Sequence, residues 1–416
     1  MFSIRRFFRP AQVIPEVYQH NFKHLYFDVG WWGILQGTTL LFLSIYLARL
    51  GATPQQIGIF NAVPGLVNML LSLPAGQIGS HFSPSKATCW SAFITRSFYL
   101  LLVFLPFFFS NNDQIWLIIA ITLVLNIPAT MAVVMGNTFF AETVPADWRA
   151  HVVATRTAIV SAVTMLFSLI SGQILDRVMF PIGYQIVFAI GYIGGMVSIY
   201  HLTRIKPYPS AAQTQSKQSL SLSTIRANLS GSSRFDILRS SFGKVLLLMF
   251  LYHFALYSGF PLGPLYQVNI LGFNDQVISI GQAIFYVVLF LGSTQAARFT
   301  HRCGYRTLNA LGLIFIAISI LLFIFAYPLW VYILTMTAGG IGWALISASL
   351  INYIFERIPE NDRPAHLAWF NLAVNAAMLL GSLGGAQLGA MIGLAPAMIV
   401  VFSLRVVMGL LVWKFG

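Results

Sequence analysis

Asp28 stands at the edge of a long uncharged run, GWWGILQGTTLLFLSIYLA from Gly30, in a chain with only 11 acids among 416 residues. A carboxylate in that setting has the chemistry of a proton site, because burial moves its proton affinity and its charge biases one conformation over another. Asp28 is therefore the candidate proton-coupling residue, with His253 behind it. The competing reading is an interfacial helix-start residue stabilised by the helix dipole.

Neutral polar and aromatic side chains recur at helical spacing inside other apolar runs. Trp32, Gln36 and Thr39 follow Asp28, and Asn126 and Thr130 lie four apart. Tyr252, His253 and Tyr257 form a third group, Trp343 and Ser347 a fourth, and Asn371 and Asn375 share one helix face at i, i+4. These are candidate solute-binding residues, since a polar group at membrane depth must face a partner or a cavity. Each has a plainer alternative, as an interfacial anchor for Trp or a helix-to-helix bond for Asn and Ser. Arg156 is shallow enough to face a cavity, whereas Arg96 and Arg405 lie roughly 13 Å from their span ends and call for structural pairing.

Charge is otherwise concentrated in short segments. ETVPADWRAH, from Glu142, and ERIPENDRPAH, from Glu356, repeat one pattern: Glu142, Pro145 and Arg149 in the first, Glu356, Pro359 and Arg363 in the second. Their spacing reads as a duplicated loop in which Glu142 with Arg149 and Glu356 with Arg363 either form local clamps or are simply solvated loop charge.

The elements that position these residues follow from composition. Hydrophobic residues make up 57% of the chain and charged ones 8%, against about a quarter charged in soluble domains. Spanning stretches of roughly 20 apolar residues fall near 27–48, 56–78, 88–109, 115–137, 153–175, 185–203, 243–267, 277–297, 309–326, 330–353, 368–392 and 395–413. Runs such as LLLVFLPFFF are apolar on every side, which excludes the alternating strands of a membrane barrel. The net charge of +13 does not indicate nucleic acid, because 19 of the 24 Lys and Arg fall in alternate loops and tails. Those are assigned to the cytoplasm, with both termini inside, and only Arg49 and Arg177 fall in loops on the other side. Cys89 and Cys303 lie near the cytoplasmic face, where thiols stay reduced, so neither disulfide nor metal is implied.

A Ser- and Gln-rich basic stretch over 204–242 reads as a linker. It divides the chain into a basic cytoplasmic arm, 1–26, an N-terminal half, 27–203, and a C-terminal half, 243–416. A shift of 221 aligns Leu50-Gly51 with Leu271-Gly272, Gln55 with Gln276, Ile57 with Ile278 and Ala62 with Ala283. The same register lays GQIGSHFSPSK, from Gly76, over ARFTHRCGYR, from Ala297. In SLGGAQLGAMIGL, Gly385, Gly389 and Gly393 are spaced for close helix packing on one face.

Two parallel six-span repeats, with these loop motifs, resemble the major facilitator superfamily of transporters. In the loop after the second span Gly76 and Lys86 match the ends of that family's motif, while His81 and its neighbours Ser80 and Ser83 replace the acid, base and glycine. In the second half Arg302, Gly304 and Arg306 match and His301 stands in place of the acid. The resemblance implies an all-α membrane protein of twelve transmembrane helices in two six-helix halves related by pseudo-twofold symmetry. It also implies a central cavity lined by the first, fourth, seventh and tenth spans, and a cytoplasmic gate built on the motif residues. With no acid in these motif positions, that gate lacks the fixed negative charge of the family's latch. The glycine-rich antiporter signature of the fifth span is also missing.

The expected function is secondary active or facilitative transport of a small neutral or amphipathic organic solute by alternating access, with efflux one direction. No facing pair of cations is evident, which disfavours organic phosphates and dicarboxylates. A lipid or lysolipid flippase and a non-transporting receptor or scaffold are the alternatives. The expected setting is the inner or plasma membrane, as a monomer in the lipid bilayer, with no cofactor, metal, nucleic acid or ATPase subunit, and no enzymatic activity.

Overall fold

The computed structural model describes residues 14–79, 81–208, 234–359 and 362–416. Among them are twelve long helices and no strand. The first half holds α1 (Glu16–Arg49), α2 (Pro54–Gly79), α3 (Pro84–Phe108), α4 (Asn111–Thr143), α5 (Ala146–Arg177) and α6 (Ile182–Thr203). The second holds α7 (Ser241–Ile270), α8 (Asp275–Thr294), α9 (Ala296–Ile324), α10 (Leu329–Phe355), α11 (Arg363–Ile392) and α12 (Leu394–Phe415). Eleven of these meet the length and apolarity of a membrane span over the described residues. The other, α2, has 26 residues, about 39 Å at 1.5 Å per residue. Large apolar side chains such as Phe107, Phe108, Trp330 and Trp413 stand exposed on the bundle's outside, as a lipid-facing surface requires.

The helices run past the apolar stretches at their ends. The arm expected over 1–26 lies outside the described residues as far as position 13, and from Glu16 it is already α1. Of the linker expected over 204–242, residues 209–233 lie outside them. Asn21 ties the start of that segment to α1, donating to the Lys206 carbonyl at 2.7 Å and accepting from the Lys206 N–H at 3.1 Å. The bundle thus has a linker end and a far end.

The first copy of the supposed duplicated loop is mostly helix, whereas in the second residues 356–359 lie outside any helix and α11 begins at Arg363. Glu142 sits in the last turn of α4 and Arg149 in the first of α5, with only Val144 and Pro145 between the helices. Arg149 donates to the carbonyls of Ala141 and Val144 rather than to Glu142, because a helix end leaves such carbonyls without partners. Glu356 likewise pairs with its neighbour Arg357, at 3.6 Å.

The internal repeat is carried in the backbone. Gly51 and Gly272, aligned by the shift of 221, both take positive φ, 89° and 63°, where they turn the chain out of the first helix of each half. The same shift sets Gln36 opposite Tyr257, and both first helices lose regularity there. In α1 a π-turn occupies Gln36–Leu40. In α7 the regular helix stops at Tyr257 and resumes at Leu262. Arg405 of α12 fills the break: it donates to the carbonyls of Ala255 at 3.0 Å, Leu256 at 2.7 Å and Ile316 at 3.4 Å. Its pairing is structural, as its depth requires, but with carbonyls instead of an acid. Gly385 and Gly389 of α11 pack on that break, against Ser258 and Leu262. Gly393 does not extend the stripe, because its φ of 88° ends α11 and begins α12.

Candidate functional site

Asp28 projects from α1 into the N-terminal half about 12 residues above the start of the helix, roughly 18 Å in, and is buried. Its Oδ1 accepts a hydrogen bond from Ser198 Oγ of α6 at 2.5 Å. Ser198 in turn accepts from Arg96 Nη1 of α3 at 3.0 Å, and Arg96 also donates to the Gly195 carbonyl at 3.2 Å. The Arg96 guanidinium lies over the Trp32 ring, 4.9 Å from its centroid. Asp28 Oδ2 meets Arg156 Nη2 of α5 at 3.8 Å, and Arg156 lies over Phe140, 5.4 Å from the ring centroid.

Asp28, Trp32, Arg96, Phe140 and Arg156 line one cavity of about 440 Å³, bounded by α1, α3, α4, α5 and Leu202 of α6. Apolar walls come from residues such as Leu25, Val29, Ala132 and Val133, aromatic ones from Trp32, Phe139 and Phe140, and neutral polar groups from Thr88, Thr95 and Asn137. The cavity therefore offers an apolar body with a few orienting polar groups, the usual form of a small-molecule site. Its position corrects the sequence reading in one respect. Two cations, Arg96 and Arg156, do share a cavity; residues 60 positions apart gave no spacing signal of it.

Of the candidate solute-binding residues, the structure brings Trp32 and Arg156 to this cavity beside Asp28. Gln36 instead reaches across the halves, where its Nε2 lies 3.4 Å from the Tyr286 hydroxyl. Thr130 donates to Asn68 Oδ1 of α2 at 2.7 Å, and Asn126 to the Thr122 carbonyl within its own helix. Tyr252 and His253 are buried in the C-terminal half, bonded to the carbonyls of Asn309 and Met249. Tyr257 packs edge-on to Phe260, and Trp343 packs against the apolar core of the same half. Ser347 and Asn371 are exposed, and Asn375 donates to the Asn371 carbonyl.

The residues expected to gate lie at the linker end. Gly76 falls in the last turn of α2, His81 and Lys86 are exposed around the start of α3, and Arg302 is exposed on α9. Gly304 interrupts α9 with φ 74° and ψ 160°, a conformation essentially restricted to glycine. Arg306 reaches the Gly416 carbonyl at 3.4 Å, and Arg363 lies over Phe355 at 5.9 Å.

Closure is found at the opposite end. Arg49 Nη2 donates to the Phe273 carbonyl and lies 3.3 Å from Asp275 Oδ1, which also accepts from the Tyr184 hydroxyl at 2.9 Å. Asn274 Nδ2 donates to Asp176 Oδ1 at 2.8 Å. Among the described residues, every hydrogen bond and ion pair joining the two halves lies here or at Gln36–Tyr286. The helix pairs α2 with α11 and α5 with α8 carry most of the remaining contact between halves, and the far ends of α1 and α7 also touch. At Gly172 an added Cβ would run into Ser279 of α8, so that pair closes only over a glycine. Sequence reasoning missed this latch, although Arg49 stood out as a cation on the side otherwise poor in them.

Comparison with known proteins agrees with this architecture. No curated protein sequence matches. Solved structures do: a nucleoside transporter, NupG, at 13% identity and TM-score 0.71, covering 96% of this chain and 100% of that one. A D-xylose-proton symporter matches at 15% identity and TM-score 0.71, over 95% and 97%. The xylose transporter XylE from E. coli, in a partially occluded inward open conformation, matches at 14% and 0.70, over 95% and 98%. At such identities the likeness is one of fold. The sequence model described as Major Facilitator Superfamily matches residues 32–283 and 245–416. With twelve helices in two halves, the chain belongs to the major facilitator superfamily and is a multi-pass membrane transporter.

Proposed function

We propose that this protein carries a small neutral or amphipathic organic solute across the inner or plasma membrane by alternating access, coupled to protons through Asp28. The observation that supports this most directly is the Asp28–Arg156 pair at the wall of the N-terminal cavity. A carboxylate held at 3.8 Å from one cation, in a cavity large enough for a solute, changes partners when either a proton or a solute arrives. The concentration of Lys and Arg toward the linker end assigns that end, and both termini, to the cytoplasm. With the far end latched, the molecule then stands in its inward-facing state. His81, Lys86, Arg149 and Arg306, at or near the linker-end helix termini, belong to the surface that must close in the other state. Gln36 and Tyr286, already touching between halves, belong to the path between the two. The protein works as a single chain.

The test is reconstitution into liposomes with an internal pH dye, under an imposed pH gradient, with a panel of sugars, nucleosides, organic acids, amphipathic drugs and lysolipids. Solute-dependent proton movement that disappears in Asp28→Asn supports the reading. Solute movement with no proton flux removes Asp28 from the coupling role. Movement of lysolipid alone reassigns the protein as a flippase.

A further inference from the structure

We propose that the solute of the N-terminal cavity is an amphipathic organic monoanion, with a carboxylate held by Arg156 and an aromatic or branched aliphatic body against Trp32 and Phe140. This rests on the reading of that cavity as the solute site, and names its substrate class.

The first ground is charge. The cavity wall carries one anion, Asp28, and two cations, Arg96 and Arg156, so one positive charge on that wall has no counterpart among the groups that line it. A monoanion brings the site to neutrality. A neutral solute leaves the excess, a cation adds to it, and a dianion overshoots beside Asp28.

The second ground is which cation is free. Arg96 is engaged by the Gly195 carbonyl, by Ser198 and by the face of Trp32. Arg156 lies over Phe140, but among the described residues its Nε is buried without any hydrogen-bond partner and its one acid contact, at 3.8 Å, is beyond hydrogen-bond length. A guanidinium with its edge unpaired presents the planar fork that a carboxylate fills with two parallel hydrogen bonds. Asp28 does not fill it, because Ser198 holds its other oxygen toward α6.

The third ground is the rest of the wall. Leu25, Val29, Ala132 and Val133 with the two rings give an apolar surface in a volume of about 440 Å³, which accommodates an organic body and gives it no hydrogen-bonding partner over most of its surface. That selects against a polyhydroxylated or highly polar acid. Once the solute's carboxylate takes Arg156, the long contact to Asp28 has no further role, and Asp28 is left to Ser198.

The test uses the purified full-length protein in detergent, with direct binding measured by calorimetry. The probes are benzoate, 3-phenylpropionate and 4-methylvalerate, their primary amides, the dianion phthalate, and sodium chloride as the inorganic control. The expected result is that the three carboxylates bind at least about tenfold more tightly than their amides, a difference of about 1.4 kcal/mol, and that phthalate binds no better than the amides. Arg156→Gln removes the preference for acid over amide, Arg156→Lys retains part of it, and Trp32→Ala weakens acid and amide alike. Thermal unfolding of each variant identifies any that fails to fold, and the acid-to-amide ratio in wild-type protein decides the matter without them. Equal binding of acids and amides overturns the charge assignment while leaving the cavity as solute site. Binding of chloride alone also overturns it, making the excess charge that of an inorganic-ion site. Acids that bind through Arg156 but are not moved in liposomes uphold the assignment and count against the transport reading instead.

Discussion

Asp28 lies between two unequal partners, Ser198 at 2.5 Å and Arg156 at 3.8 Å. Its tie to α6 is short and its tie to α5 is long, so α5 is the element free to move when the carboxylate changes state. Asp28→Asn keeps the size of the side chain and an acceptor for Ser198, and removes the charge. The expected outcome is loss of solute-driven proton flux in liposomes with exchange of labelled solute at equal pH preserved. A fall in proton flux of less than about tenfold, equivalent to about 1.4 kcal/mol, would place the coupling on another group.

The far-end latch predicts a shift between states. Asp275 accepts from both Arg49 and Tyr184, and Asp275→Ala removes both bonds together. Arg49 is 24% exposed, so water screens much of its contribution. The buried Tyr184 hydroxyl loses its acceptor, which costs about 1–3 kcal/mol. In a background lacking Cys89 and Cys303, a cysteine at the buried far-end position Ala52 is expected to react faster with a membrane-impermeant maleimide once Asp275 is replaced. An unchanged rate would mean that helix packing alone keeps this end shut.

The sequence made some of this plain and hid the rest for physical reasons. The paired glycines Gly51 and Gly272 were visible because a positive φ needs one residue type at one place, and the repeat preserved both. The spans were visible because hydrocarbon demands long apolar runs. Helix ends were less so: Glu16 to Tyr26 and Glu142 are helical but too rich in polar residues to stand out as apolar runs, although Phe22 and Leu25 pack into a core of their own. The cavity charges were recognised singly, as Asp28, Arg96 and Arg156, but their convergence depends on how α1, α3 and α5 pack. Gln36, Asn126 and Thr130 had the spacing of cavity residues, and the structure uses them between helices. Polarity at depth marks a need for a partner and does not say whether that partner is protein or solute.

Arg405 predicts an order of stabilities. Its three carbonyl acceptors lie on α7 and α9, two of them at the break after Ala255 and Leu256. Arg405→Met removes a buried charge; the Ala255 carbonyl keeps the Ser258 hydroxyl at 3.1 Å and Ile316 lies within α9, so the Leu256 carbonyl is the one left short of a donor, at a cost of about 1–3 kcal/mol. Arg405→Lys keeps a buried charge but lacks the planar fork that reaches separate carbonyls, and is expected to be worse. Thermal unfolding in detergent should rank wild type above Met and Met above Lys. Lys above Met would show that the charge itself, rather than the geometry of the donors, holds the break.

Gly172 predicts a conformational trap with a specific rescue. Any Cβ there meets Ser279 of α8 and approaches the Asp275 carbonyl to 3.1 Å. Gly172→Val therefore forces α5 away from α8 at the far end, with overpacking worth about 1–3 kcal/mol against the closed arrangement. That cost falls only on the state in which α5 and α8 touch, so the variant should populate the far-end-open state and label faster at a cysteine in place of Ala52. Among the described residues Ser279 bonds only its own helix, at the Gln276 carbonyl, and Ser279→Gly should be mild alone. Combined with Gly172→Val it makes room for the added side chain and should return labelling toward the wild-type rate. This non-additivity between the two substitutions is the signature of direct contact. Additive effects would mean that Gly172 acts by loosening α5 itself, and that closure of the far end does not depend on this crossing.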